Sequence, residues 1–250
     1  MNLVGAQVLV TGGGSGIGRF LVGRLLDSGS RVATLELDAA RCADLQAAFP
    51  ELVRAWQCDV SDAAAVDNSL KAVFESGFEP DVLINNAGLI HSEPLVNLLL
   101  RGDRVHSRES WKKVIAADLD SVFFVTGRVV EQMLARRKKG VIVSISSISA
   151  QGNAGQSAYS AAKAGVNALT KTWAKELGPM GLRFAAIAPG FIDTPSTRAA
   201  LSEATVSRLQ QQIPLRRLGE LESVFSAVSS IIQNDYLTGT VIEVDGGLVL

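Results

Sequence analysis

The chain has 250 residues, 47% of them hydrophobic, and a formal net charge of −1. That is ample apolar material for one large α/β core, and the near-neutral balance leaves no broad basic field for nucleic acid or an anionic membrane surface. No apolar run reaches the ~18 residues of a membrane span, and no basic, apolar leader precedes the first strand-like segment, so a soluble cytoplasmic protein is expected.

The two cysteines, Cys42 and Cys58, form no CxxC pair and are too few for a disulfide framework, which suits free thiols in a reducing compartment. The two histidines, His91 and His106, share one polar stretch. Without a third ligand at metal spacing they make no zinc site, and no metal is expected. The basic run Arg136–Lys139 reads as a solvated helix end, where cations oppose the negative end of the dipole.

Gln7 to Thr11 reads as a buried strand that enters Gly12-Gly13-Gly14-Ser15-Gly16-Ile17-Gly18 and then a helical pattern with Phe20, Leu21, Leu25 and Leu26 apolar. Strand, glycine-rich turn and helix start make a phosphate site. The turn lets a pyrophosphate approach, and the helix start offers free N–H groups and a positive dipole end. Gly12, Ser15, Gly16, Ile17 and Gly18 are its candidate cofactor-binding residues. Arg31 to Leu35 is the second strand, ending at Glu36, 18 residues past Gly18. A carboxylate there accepts hydrogen bonds from an adenosine ribose and repels a 2′-phosphate, so NAD is expected ahead of NADP. Ser15 and Leu37 offer no base to neutralise such a phosphate, and the nearby bases are Arg19 and Arg41. The competing reading makes Glu36 a solvated strand end.

Ala39 to Phe49 reads as a helix and Leu52 to Cys58 as the third strand, followed by Asp59-Val60. Asp59 falls where a parallel sheet binds ligands, and either meets an adenine amino group or simply makes a turn. After a helix over 63–74 comes the strand Val82–Ile84, ending in Asn85-Asn86-Ala87-Gly88, whose amides can hold neighbouring strand ends apart and whose glycine permits close ligand approach. A long connection, Leu89 to Ser110, carries an apolar piece, Leu95–Leu100, expected as a short helix. Trp111 to Arg137 reads as one long helix whose apolar surface is broad enough for both the sheet and a partner subunit. Val141–Ile145 is the fifth strand, with Ser146 at its end, and Arg183–Ala188 is the sixth, broken by Pro189-Gly190. A loop and helix over 192–212, a helix over 223–232 and a strand Thr240–Val244 complete the chain.

Between the fifth and sixth strands lies Ser157-Ala158-Tyr159-Ser160-Ala161-Ala162-Lys163. Four residues apart, Tyr159 and Lys163 share one helix face. A phenol titrates near ~10, and an adjacent ammonium favours its phenolate, so the pair is a plausible acid/base for an alcohol and its carbonyl. Strand alternates with helix throughout, which predicts a single domain, 1–250, with one doubly wound parallel seven-stranded sheet (a Rossmann fold) in the order 3-2-1-4-5-6-7.

The motifs are collinear: Thr11-Gly12, Gly16-Ile17-Gly18, Asp59-Val60, Asn85-Asn86-Ala87-Gly88, Ser146 thirteen residues before Tyr159, Lys163, Pro189-Gly190 and Asp245-Gly246-Gly247. Over its full length the chain resembles the short-chain dehydrogenase/reductase family, and in motif the bacterial 3-oxoacyl-carrier-protein reductases and their NAD-linked relatives. The resemblance implies an oxidoreductase that moves hydride between NAD(H) and a secondary alcohol or ketone, such as a 3-hydroxyacyl or 3-oxoacyl substrate. It implies that Tyr159 exchanges the proton, that Lys163 lowers the phenol pKa and bonds the nicotinamide ribose, and that Ser146 donates to the substrate oxygen. Asp59, Val60, Asn86, Ala87 and Gly88 then bind the cofactor; Pro189, Gly190, Ile192 and Thr194 line the nicotinamide end, and the 192–212 loop closes over substrate. A homotetramer is expected from the same resemblance.

Three departures bear on function. Asp118 stands where the family usually has an asparagine on the proton relay: if the backbone carbonyl holds the relay water the change is tolerable, and if the side chain matters a carboxylate would raise the lysine pKa and alter the pH optimum. The 89–110 connection is long, and either shapes the substrate pocket or packs on a neighbouring subunit. Of two basic residues that carrier-protein reductases present to an acyl carrier protein, Arg137 matches one and Met180 replaces the other. The alternatives are therefore an NADPH-dependent carrier-protein reductase and a catalytically idle nucleotide-binding subunit.

Overall fold

Successive residues of a strand face opposite sides of its sheet, and here both sides are apolar. Val8, Val10, Val82, Ile84, Val141, Val143, Ala185 and Ile187 pack into one core, while Leu9, Leu83, Ile142 and Phe184, at the alternate positions, pack into the other. Seven parallel strands result: β1 Gln7–Thr11, β2 Arg31–Glu36, β3 Val53–Gln57, β4 Val82–Asn85, β5 Gly140–Ile145, β6 Leu182–Pro189 and β7 Thr240–Val244. Their order is β3-β2-β1-β4-β5-β6-β7, as the alternation predicts. The computed structural model describes residues 1–50, 52–194, 197–198 and 202–249.

Helices cover both faces. Helix α1, Gly16–Asp27, supplies Leu21, Val22 and Leu25 to the first core. Helices α2 (Ala39–Ala48), α3 (Ala63–Glu75), α4 (Arg108–Ile115), α5 (Ser121–Ala135), α6 (Ser157–Leu177), α7 (Glu203–Gln212) and α8 (Leu221–Gln233) follow. Val66, Leu70 and Val73 of α3 and Val125, Val129 and Met133 of α5 fill the second core, and Phe225, Val228 and Ile231 of α8 the first.

Two expectations are corrected. The long helix is not continuous: between α4 and α5, residues Ala116–Asp120 form a π turn in which the Ser121 N–H donates to the Ala116 carbonyl. The Ser121 hydroxyl donates to the Ala117 carbonyl at 2.7 Å, occupying an acceptor that the wider turn strands. The helix also begins earlier, because the Ser107 hydroxyl accepts the Ser110 N–H and caps it. The apolar piece Leu95–Leu100 is not a helix. Val96 pairs antiparallel with Val105, and the Asn97 N–H donates to the Arg104 carbonyl at 2.7 Å. Asn97 Oδ1 accepts the Leu99 N–H at 3.1 Å, a local bond that competes with helix, and so short a helix would bury no face to offset its nucleation cost. Leu98 and Leu99 are left exposed.

Gly18 is the tightest point in the β1–α1 unit, since a Cβ there would stand 2.1 Å from the Gly12 carbonyl oxygen. Gly18→Ala is therefore expected to push α1 off β1. Forced overpacking of this kind costs about 1–3 kcal/mol, and a lowered Tm would register it.

Candidate active site

The strand order reverses between β1 and β4, and the crevice beyond their C-terminal ends is where an open parallel sheet holds a ligand. On the β1 side the turn is fixed by its own N–H groups. Gly13 donates to Thr34 Oγ1 at 3.1 Å and Gly14 to Glu36 Oε2 at 2.7 Å. Ser15, at the start of α1, makes no side-chain cap, so the first-turn N–H groups have no side-chain acceptor there. Gly16 leaves open space above them, while half-buried Ile17 packs back onto the first core. Uncapped donors beside open space fit the diphosphate of a dinucleotide.

Glu36 is not a solvated strand end: it is 4% exposed. Its Oε2 accepts from Gly14, and its Oε1 accepts the Asp38 N–H at 3.3 Å. Arg41 stands above it, with Nη1 3.9 Å from Glu36 Oε1 and donating to Ser15 Oγ at 3.3 Å. Asp59 is exposed, and its Oδ1 accepts both the N–H and the hydroxyl of Ser61, at 2.9 and 2.6 Å, in the turn before α3. Val60 packs against the second core. Asn86 Nδ2 donates to the carbonyls of Thr11 and Gly12, both at 3.0 Å, and Thr11 Oγ1 accepts the N–H groups of Asn86 and Ala87. The ends of β1 and β4 are thereby tied together.

On the other side of the crevice α6 carries Tyr159 and Lys163, both buried. Lys163 Nζ lies 3.0 Å from Asp118 Oδ1, donates to the Ile145 carbonyl at 3.0 Å, and stands 5.6 Å from the centre of the Tyr159 ring. Asp118, in the π turn, is fully buried, and its Oδ2 accepts the Leu89 N–H at 3.2 Å. The approach needs Gly88, where a Cβ would fall 2.3 Å from Asp118 Oδ1. Burial pushes the Asp118 carboxyl above the usual carboxylate range, and the nearby Lys163 charge and the Leu89 N–H only partly offset that. Burial also pulls the Lys163 ammonium down, but the Asp118 charge and Tyr159 outweigh it and hold the lysine above its ordinary value. Ser146, buried at the end of β5, donates from Oγ to the Lys163 backbone carbonyl at 3.3 Å. The Tyr159 ring packs with Val114, Ala158 and Leu89.

Beyond β6, the Gly190 N–H following Pro189 donates to the Val244 carbonyl at 3.0 Å. Ile192 is buried and bridges to Gly219, and Thr194 Oγ1 accepts the Thr197 N–H at 3.1 Å. Of the expected substrate loop 192–212, positions 195–196 and 199–201 lie outside the described residues.

Contrary to the expectation from spacing, the two histidines have a third group of ligand type beside them: His91, Glu93 and His106 converge, one ligand atom of each within 4.8 Å of the others. Glu93, two residues past His91, is the signal for this in the sequence. The Leu89 N–H and the Ile145 carbonyl are backbone groups that no side-chain motif announces. Among the described residues, no helix is long and apolar enough to cross a membrane.

Comparison with known proteins agrees with this architecture. The sequence model of the family described as short chain dehydrogenase matches residues 6–205. The human (3R)-3-hydroxyacyl-CoA dehydrogenase is 37% identical over 271 residues, covering 100% of this chain and 97% of that protein. The 3-oxoacyl-[acyl-carrier-protein] reductase FabG of Thermotoga maritima is 36% identical over 256 residues, covering 100% of both. The solved structure of a 4-hydroxyisoleucine dehydrogenase complexed with NADH superposes with a TM-score of 0.88 at 27% identity, over 97% of this chain and 98% of that one. With a dinucleotide turn, a Tyr/Lys helix and full-length relatives in agreement, the chain belongs to the short chain dehydrogenase family of oxidoreductases.

Proposed function

We propose that the chain transfers hydride between NAD(H) and a secondary alcohol or ketone of the 3-hydroxyacyl/3-oxoacyl class. The observation that carries this reading is the buried Asp118–Lys163 ion pair set beside Tyr159, with Ser146 at the adjoining strand end. When bound, the nicotinamide supplies or accepts the hydride. In reduction, the Tyr159 phenol gives its proton to the substrate oxygen; in oxidation the phenolate takes it back. The Lys163 ammonium, held by the Ile145 carbonyl and Asp118, places a fixed positive charge beside that phenol. Ser146 Oγ is the second donor for the oxygen, where negative charge develops.

The substrate class is supported by the names of the relatives that match over the full chain, which act on 3-hydroxyacyl-CoA or 3-oxoacyl-carrier thioesters. Arg137 and Met180 are both exposed, so the surface expected to meet an acyl carrier protein presents one base rather than two. That favours a free acyl thioester over a carrier-bound one. The exposure of Trp111 and Phe123, 42% and 56%, supports a homotetramer packed through the α4–α5 region, and the buried free thiols of Cys42 and Cys58 suit a cytoplasmic setting.

NAD is the reading that Glu36 supports, because a carboxylate at the end of β2 accepts hydrogen bonds from an adenosine ribose and repels a 2′-phosphate. One observation favours NADPH instead: Arg41 partly neutralises Glu36 and reaches Ser15. Titrations of NADH and NADPH separate the two. Wild type is expected to prefer NADH, and Glu36→Ala to bind it roughly 10- to 100-fold more weakly, the worth of hydrogen bonds to a charged group. A wild type that prefers NADPH and loses that preference in Arg41→Ala would reverse the cofactor assignment.

A further inference from the structure

The 89–110 connection folds back beside the entrance to α6, and its three converging side chains have no part in the proposed hydride chemistry. The Glu93 N–H donates to the Gly155 carbonyl at 2.7 Å, and Gln156, the residue before α6, donates from Nε2 to Ser92 Oγ at 3.1 Å. Within this frame His106 Nδ1 lies 3.0 Å from the Glu93 backbone carbonyl. A carbonyl only accepts, so Nδ1 carries the hydrogen, and in the neutral ring Nε2 holds the lone pair. That is the arrangement of a metal-binding histidine whose other nitrogen is anchored to a carbonyl.

His106 Nε2 is buried and has no hydrogen-bond partner among the described residues, while its side chain is 6% exposed. A buried nitrogen left without a partner calls for an occupant. It lies 3.9 Å from Glu93 Oε2, and His91 Nε2 donates to the same oxygen at 2.9 Å, a hydrogen that a bound ion displaces. The other Glu93 oxygen, Oε1, accepts the Ser107 N–H at 2.7 Å, which orients the carboxylate. Zinc bonds of about 2.1 Å in a tetrahedron set ligand atoms roughly 3.4 Å apart, so shifts of well under a side-chain length bring all three onto one ion. Two imidazoles and a carboxylate suit a borderline divalent ion such as zinc or cobalt rather than calcium or magnesium.

We propose that His91, Glu93 and His106 form a divalent transition-metal site of the zinc class, with a fourth position open, which locks the 89–110 connection against the segment entering α6. The proposal is independent of the hydride-transfer reading. Equilibrium dialysis of the tag-free, chelator-treated full chain against ZnCl2, with metal quantified, tests it. Wild type is expected to retain one zinc per chain, and His91→Gln, whose ring is partly exposed, to weaken binding by at least about 100-fold while keeping the wild-type circular dichroism spectrum; His106→Gln is expected to do the same if it folds. Cobalt, substituted for zinc, is expected to give visible absorption bands in wild type that His91→Gln loses. Zinc should also slow tryptic cleavage at the exposed Arg101 and Arg104 in wild type and leave His91→Gln unprotected. No retained zinc in wild type, or equal retention by His91→Gln, would overturn the site and leave these side chains as a hydrogen-bonded brace.

Discussion

Tyr159→Phe is expected to lower kcat/KM for both oxidation and reduction by about 10²–10⁴-fold, the usual worth of a positioned general acid/base. The substitution removes one oxygen from a ring packed with Val114, Ala158 and Leu89, so folding and NADH affinity should stay near wild type. Stopped-flow hydride transfer together with NADH titration checks both halves. A variant with wild-type turnover would place the proton transfer on another group and dismantle the assignment of Ser146 and Lys163 with it. A variant that loses NADH affinity in step with its rate would mean that Tyr159 positions cofactor rather than moving a proton.

Asp118 is expected to act through Lys163. Because the lysine is held above its ordinary value, it remains an ammonium across the physiological range. A group that binds its proton more tightly in the folded chain contributes fully below its ordinary pKa, about 10.4 for lysine, and loses that contribution as pH climbs through the folded value. Asp118→Asn removes the charge that opposes burial. The alkaline decline in kcat/KM for alcohol oxidation is then expected to move to lower pH. Asp118→Ala also removes the acceptor and leaves a buried ammonium facing a gap, a change that costs roughly 3–5 kcal/mol in urea unfolding near neutral pH. The deficit should narrow in strong alkali, where the lysine loses its charge. An Asp118→Asn pH profile superimposable on wild type would show that the carboxylate has no influence on the lysine.

Much of this was legible in the sequence because it rests on local rules. The strands are apolar runs between turn residues, and strict alternation with helices leaves one sheet order. The glycine turn, the Asn85–Gly88 corner, Ser146, Tyr159 and Lys163 each fall at a strand end or on a helix start, where spacing alone fixes their side of the sheet. What was not legible depends on contacts between distant segments. Leu95–Leu100 has the composition of a helix, but Asn97 and the pairing of Val96 with Val105 turn it into a hairpin-like excursion. The break in the long helix leaves no mark in its apolar pattern. A strand-end glutamate such as Glu36 is compatible with a solvated side chain, yet two backbone N–H groups hold it inside. The convergence of Glu93 with two histidines thirteen or fewer residues away required the fold-back that no periodicity reveals.

The π turn at Ala116–Asp120 sets a limit on how the chain can change length. A helical residue advances about 100° around its axis, so deleting one residue between α4 and α5 would restore a regular helix only by rotating one flank against the other. Either Asp118 would swing off Lys163, or Val125, Val129 and Met133 would leave the second core. The excursion around residues 97–104 carries no such phase requirement, because its ends are already held together by strand-like pairing. Insertions and deletions between related chains should therefore accumulate in that excursion and be absent from the five-residue turn, whose register is inherited as a unit with the carboxylate it aims.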